Sequence, residues 1–165
     1  ANEISKSRRD RLVQVIRDYI PMELRENVFV KGKDAIKYGL IMPDTFDRVL
    51  LDAPCSSERH VLKNENELAK WGPKRTKKLA TIQYGLLCSA LLSCKPGGTI
   101  VYSTCSLSPL ENDNIIEKLL KKKGDQVELS NLPVDYFDQT EFGQISLPHR
   151  HKIGPIYMAR LKKKN

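Results

Sequence analysis

Two apolar runs separated by one long amphipathic segment constrain this chain more than anything else in it. Residues 46–52, FDRVLLD, form a mostly apolar run of the kind buried in a parallel sheet. Residues 99–105, TIVYSTC, are β-branched and aromatic and predict a second strand. Between them, a helix expected from about residue 74 to 94 turns Leu79, Ile82, Leu86, Leu87, Ala90 and Leu91 inward, and Lys95-Pro96-Gly97-Gly98 breaks it. Strand, helix and strand make a crossover unit joining two neighbours of one sheet.

The flanking sequence continues the alternation. Ser5 can cap a helix running to about Tyr19, with Leu12, Val15, Ile16 and Tyr19 on one face and Pro21 ending it. Val28–Val30 reads as a short strand. Pro109 at a first helical turn leads into ENDNIIEKLLKKK, acidic at its start and basic at its end as the helix dipole prefers. Further strands are expected at 126–129, near 144–147 and at 156–162. The expected class is α/β with a mostly parallel sheet.

Composition narrows the functional classes. The 165 residues make one domain's worth of chain, and no apolar run approaches the roughly 18 residues of a membrane span. Net charge is +8, much of it in KSRR (6–9), PKRTKK (73–78), KKK (121–123) and KKK (162–164). Such tracts permit a nucleic-acid partner without requiring one, since solvated lysine faces look the same. The four cysteines, Cys55, Cys88, Cys94 and Cys105, form no CxxC pair, so no metal site is expected, and reduced thiols in an intracellular protein are the default.

Two of those cysteines stand just past predicted strands. LLDAPCSS supplies Asp52, Pro54 and Cys55; VYSTCSLSPLEN supplies Thr104, Cys105 and Ser106. Joined by a crossover helix, the strands would deliver both thiols and a carboxylate to one rim, where open α/β sheets place their chemistry. A thiol beside a carboxylate is a candidate nucleophile with an acid–base partner. A lone cysteine is more often a small buried hydrophobe, the reading adopted for Cys88 and Cys94 on the helix. For Cys55 and Cys105 the residues alone leave both readings open.

DAPCSS followed by a basic helix, then KPGGTIVYSTCSLSPLEN, resembles the Sun/RsmB (NSUN-like) family of RNA cytosine-5 methyltransferases. The likeness extends to ANEISKSRRDRL at the start, KGKDA at 31–35 and IGPIYMARL at 153–161, and DRVLLDAPCSSERH is most similar to mitochondrial and related bacterial-type members. The resemblance implies a Rossmann-like class I methyltransferase sheet and S-adenosylmethionine as cofactor. It implies Cys105 as the nucleophile that adds to cytosine carbon 6, Cys55 as the thiol that helps release product, and Asp52 as the carboxyl group at the ring. It also implies that Glu3 bonds the cofactor ribose, that Arg8 accompanies it, that Asp34 with Ala35 meets the adenine edge, and that Asp52 lies near the methionine end.

The expected partner is structured RNA, tRNA or rRNA, with a helper protein in some relatives. No membrane association and no metal are expected. The implied compartment is mitochondrial for a eukaryotic chain and cytoplasmic for a bacterial one. Family members also carry a Pro-Gly-Gly-Lys loop upstream of the segment matched by ANEIS, whereas the PGG here lies at 96–98, before the Cys105 strand. Residues 1–165 are therefore expected to form the C-terminal majority of a catalytic domain, lacking the first strand, with little activity alone. The alternative is a catalytically inactive RNA- or partner-binding protein on the same fold.

Overall fold

The computed structural model describes residues 1–165 apart from Arg59, His60, Leu62, Lys63, Lys70, Trp71 and Val134, and apart from the Glu67 side chain. In chain order the elements are α1 (Lys6–Tyr19), α2 (Met22–Arg25), a 3-10 turn (Ala35–Lys37) running into α3 (Tyr38–Ile41), β1 (Phe46–Asp52), α4 (Glu65–Leu68), α5 (Pro73–Ser93) and β2 (Cys94–Thr104). A second 3-10 turn (Pro109–Glu111) leads into α6 (Asp113–Lys123), followed by β3 (Val127–Ser130), β4 (Asp138–Gln139), β5 (Gln144–Ser146), α7 (Pro148–His151) and β6 (Ile156–Lys163).

The crossover unit forms as its pattern predicts. β1 and β2 pair in parallel, Leu51 opposite Tyr102 and Asp52 opposite Ser103, so both strands end at the same rim. The Lys95–Gly98 break lies inside β2 rather than before it. Phe46 pairs with Cys94 and Arg48 with Thr99, so the intervening residues bulge out, and Gly97 supplies the turn with φ +72°.

The expectation of a mostly parallel sheet holds for the β1–β2 pair, but the sheet as a whole is mixed. β6 runs antiparallel to β2 along one edge, and antiparallel to β5 and then β3 along the other; β4 pairs with β5. No helical crossover precedes β6: the chain reaches it through the β4–β5 hairpin and the short α7, so it enters against β2 instead of alongside it.

The core lies on one face of this sheet. Leu87, Ala90 and Leu91 of α5 and Ile115, Ile116 and Leu119 of α6 bury against Ile100, Tyr102, Tyr157, Ala159 and Leu161. Full burial of each large side chain contributes roughly 1.5–3 kcal/mol. Along β6 burial alternates, Tyr157, Ala159 and Leu161 inside against Met158 and Lys162 less covered, the pattern of a sheet with one solvated face. At the β1 edge, which pairs with no further strand among the described residues, Leu50 is 72% exposed.

The N-terminal part departs from expectation in two ways. Residues 28–30 form no strand; Ala1–Glu3 and Lys31 make an isolated parallel bridge, with Glu3 N donating to Lys31 O at 3.0 Å and Lys31 N to Ala1 O at 2.9 Å. And α1, although it spans the predicted residues, fully buries none of them: Leu12 and Ile16 are half-buried, and Tyr19 is 79% exposed. Ser5 occupies the N-cap position without a side-chain cap bond. The segment is anchored farther on, where Ser89 of α5 donates from its hydroxyl to Ala35 O (2.6 Å) and accepts from Gly39 N (2.8 Å).

Candidate active site

Cys55 follows β1 and Cys105 follows β2, so the parallel register carries both to one rim. Their Cα atoms are 6.2 Å apart and the two sulfurs are paired as a disulfide, while Cys88 and Cys94 are free. The pairing corrects the expectation of four reduced thiols, and its cause is the convergence itself: loops from adjacent strand ends bring the Cα atoms within the range a disulfide spans. Cys105 is exposed and Cys55 half-buried, so neither is sealed in the interior. Cys94 is buried, and that burial pushes its thiol pKa up, as suits a packing residue. Cys88 is half-buried on α5, packed against the core.

The backbone around each sulfur is held by side chains of the same two motifs. Thr104 donates from its hydroxyl to Asn112 Oδ1 (2.6 Å), and Asn112 Nδ2 donates to Ser106 O (2.9 Å), closing the turn that presents Cys105. Glu58 joins the loops. Its carboxylate accepts from the Ser56 hydroxyl, from Ser106 Oγ (2.9 Å) and from Leu107 N (3.1 Å). Glu111, fully buried, supports the same loop from beneath, accepting from Ser56 N (3.0 Å) and from Gln83 Nε2 (2.7 Å). Gln83 Nε2 also donates to Pro54 O at 2.8 Å. The Cys105 amide points at Cys55 Sγ, 3.3 Å away.

Asp52 ends β1 opposite Ser103, exposed, and no described residue hydrogen-bonds to its carboxylate. It is thus on the cysteine rim. Glu3 and Arg8 are brought together: Arg8 Nε lies 2.9 Å from Glu3 Oε2, while Glu3 Oε1 accepts from Ser5 N at 2.8 Å. Asp34 caps the 3-10 turn, its Oδ1 accepting from Ile36 N at 3.0 Å, with Ala35 next to it packed toward α5. The open cavity of about 150 Å³ between β3 and the β4–β5 hairpin contains none of these residues. Among the described residues no group of three or more His, Cys, Asp or Glu side chains could hold a metal ion, and no helix is long and apolar enough to cross a membrane.

Sequence reasoning passed over Ser57, Glu58, Gln83 and Glu111, which link the two cysteine loops. Glu58 and Glu111 do fall within the DAPCSSERH and SPLEN stretches, which is the one signal that could have found them. Arg59 and His60, which complete the first stretch, lie outside the described residues.

An α/β scaffold with reactive groups at the carboxyl rim of its parallel strands is the plan of the Rossmann-like methyltransferases, and the solved structures agree. That of NSun6 from Pyrococcus horikoshii with SFG, an S-adenosylmethionine analogue, superposes with a TM-score of 0.81 at 26% identity, covering 100% of this chain and 41% of that one. The family can be stated more closely. The family model described as 16S rRNA methyltransferase RsmB/F matches residues 1–162, and the chain belongs to that family. Among curated relatives, the mitochondrial tRNA (cytosine(34)-C(5))-methyltransferase of Danio rerio is 35% identical over 98% of this chain and 47% of its own length. Ribosomal RNA small subunit methyltransferase F of Aeromonas salmonicida is 43% identical over 86% of this chain and 29% of its own. The chain spans less than half the length of each of these relatives.

Proposed function

We propose that this chain carries the catalytic centre of an S-adenosylmethionine-dependent RNA cytosine-5 methyltransferase acting on tRNA or rRNA. The observation that carries the reading is the convergence of Cys55 and Cys105 at the carboxyl ends of two parallel strands, with Asp52 on the same rim. Cytosine carbon 5 is a poor nucleophile until a thiolate adds to carbon 6. Cys105, which the family resemblance makes the attacking residue, forms that bond, which shifts electron density toward carbon 5. Asp52 stabilises the charge that addition places on the ring, through N3 and the exocyclic amine. Cys55, as a thiolate, assists the release by taking the carbon 5 proton while the Cys105–carbon 6 bond breaks and returns its electron pair to the Cys105 sulfur. A thiol reductant must first open the disulfide by exchange, leaving both sulfurs as thiols and taking the disulfide onto itself.

The residues toward the cofactor fit the group. S-adenosylmethionine supplies the methyl group when bound. Glu3 uses two of the roughly four lone-pair sites of a carboxylate on Ser5 N and Arg8, leaving others for a ribose diol while the side chain is already oriented. Asp34 has one oxygen committed to its cap and the second open to a donor on the adenine edge. The basic tracts support an RNA partner: residues 6–9 open α1 just after Glu3, and 73–78 open α5 at the end nearer Pro54. The target base would be turned out of its stack to reach the sulfur.

The roles separate in the full-length protein, assayed reduced on its target RNA. Cys55→Ala is expected to accumulate a covalent protein–RNA adduct that survives denaturing electrophoresis. Cys105→Ala is expected to form none and to lose methyl transfer by on the order of 10⁴-fold. An adduct that persists in Cys105→Ala would reverse the two assignments.

A further inference from the structure

Ser57 is not glycine, yet its backbone sits at φ 55°, in the left-handed region that side chains rarely adopt, and its carbonyl accepts from Val61 N at 3.1 Å. Such a conformation persists only where the surroundings fix it, often at functional sites. The consequence here is where the side chain goes. Ser57 Oγ lies 3.2 Å from Cys105 Sγ, 3.6 Å from Cys55 Sγ and 3.5 Å from Cys55 O. It touches both sulfurs of the rim. Among the described residues it is the side-chain hydroxyl, amide or charged group that contacts the sulfur of Cys105.

The described titratable groups around that sulfur give a hydrogen-bond donor something to offset. Asp52 ends the adjoining strand, Cys55 faces it directly, Glu58 binds Ser106 and Leu107 immediately after it, and Glu111 lies beneath the Cys55 loop. Among the described residues, every one of these is a carboxyl or a thiol. Negative neighbours disfavour a thiolate, and a hydrogen bond to the charged form favours it.

We propose that Ser57 is a catalytic residue, donating its hydroxyl proton as a hydrogen bond to the Cys105 thiolate that attacks the base. The proton stays on Ser57 throughout, so nothing is transferred and no further reactant is needed. One hydroxyl hydrogen can serve one acceptor at a time, and the shortest of its three contacts is to Cys105. Once Cys105 is bonded to carbon the hydroxyl is freed to turn to Cys55, so the same group supports both thiols in sequence. This rests on the role of Cys105 proposed above, and its primary readout is thiol reactivity, so the two can fail separately.

The measurement is the iodoacetamide alkylation rate of Cys105 against pH in the reduced full-length protein, followed on the Cys105 peptide by mass spectrometry. Ser57→Ala removes the hydroxyl and keeps the strained backbone; Ser57→Gly removes the hydroxyl and relieves it. Both variants are expected to move the alkylation midpoint upward by about one pH unit, an approximately tenfold loss of rate where the thiolate is the minor form. Unchanged midpoints in both would overturn the proposal, as would a shift in Ser57→Ala that Ser57→Gly does not share, which would assign the effect to the backbone. If the midpoints move and Cys105→Ala still transfers methyl groups, the thiol chemistry stands while the assigned function fails.

Discussion

The rim depends on two carboxylates that do not touch the sulfurs, and they work under different conditions. Glu58 is half-buried and spreads three hydrogen bonds over the residues following each cysteine. Glu111 is fully buried, and one of its oxygens, Oε1, has no partner among the described residues while Oε2 takes both Ser56 N and Gln83 Nε2. Removing it strands two buried donors. Glu111→Ala is therefore expected to destabilise the fold by about 2–3 kcal/mol, whereas Glu111→Gln, whose amide oxygen can still accept both bonds, costs about half that or less. Urea denaturation of the two variants tests this; equal midpoints would show that the accepted bonds contribute nothing. The sequence made Asp52, Cys55 and Cys105 legible because a strand end is a position and a reactive side chain is a type. It did not make Glu58 or Glu111 legible. A glutamate a few residues past a strand has the same local pattern whether it clamps a neighbouring loop or faces water.

At the level of elements, β2 and β6 are stitched by a pair of tyrosines. Tyr102 and Tyr157 meet edge to face with centroids 6.3 Å apart; Tyr102 donates to Glu111 O (2.6 Å) and Tyr157 to Asp113 Oδ1 (2.7 Å). Burial pushes both phenol pKa values above the ordinary 10, and for Tyr157 the Asp113 carboxylate adds to the effect because ionisation would set two negative charges side by side. The neutral phenol is the form the fold stabilises. The contribution is complete below the unfolded value near 10 and falls as pH rises above it, because the unfolded chain then releases protons that the folded chain keeps. Two tyrosines give a loss of about 2.7 kcal/mol in all between pH 9 and 11, most of it above pH 10. Urea midpoints measured between pH 9 and 11 should fall accordingly, and a flat profile would mean that the phenols ionise as freely in the fold as outside it. These strands also mark how far periodicity reads. β1, α5, β2 and α6 follow from patterns within each segment, and their boundaries fall within a few residues of those expected. The direction of β6 and the two-residue β4 do not follow, because they are set by which strand each meets and not by its own composition.

Stability is distributed unevenly over the whole molecule, and the candidate site straddles the division. From Ala1 to Tyr38 no residue is buried; the first buried position is Gly39, seated on Ser89 of α5 so closely that an added Cβ would lie 2.5 Å from Ser89 O. Asp52, Cys55 and Cys105 sit on the packed sheet, whereas Glu3 and Arg8 sit on the unburied part. Opening α1 exposes little apolar area, so its free energy lies far below that of global unfolding. Opening β2 or β6 takes apart the core of Ile100, Tyr102, Tyr157 and Leu161. Native-state hydrogen exchange on this 165-residue chain should therefore show the α1 amides exchanging at least about a hundredfold faster, relative to their intrinsic rates, than those of β2 and β6. In the full-length protein, addition of S-adenosylmethionine should slow the residues numbered 1–37 here more than the central strands, because a ligand bound there must order what is loose. Equal protection of α1 and β2 without ligand would show that the N-terminal part is fixed as firmly as the core. Slowing confined to the central strands would place the ligand away from Glu3 and Asp34.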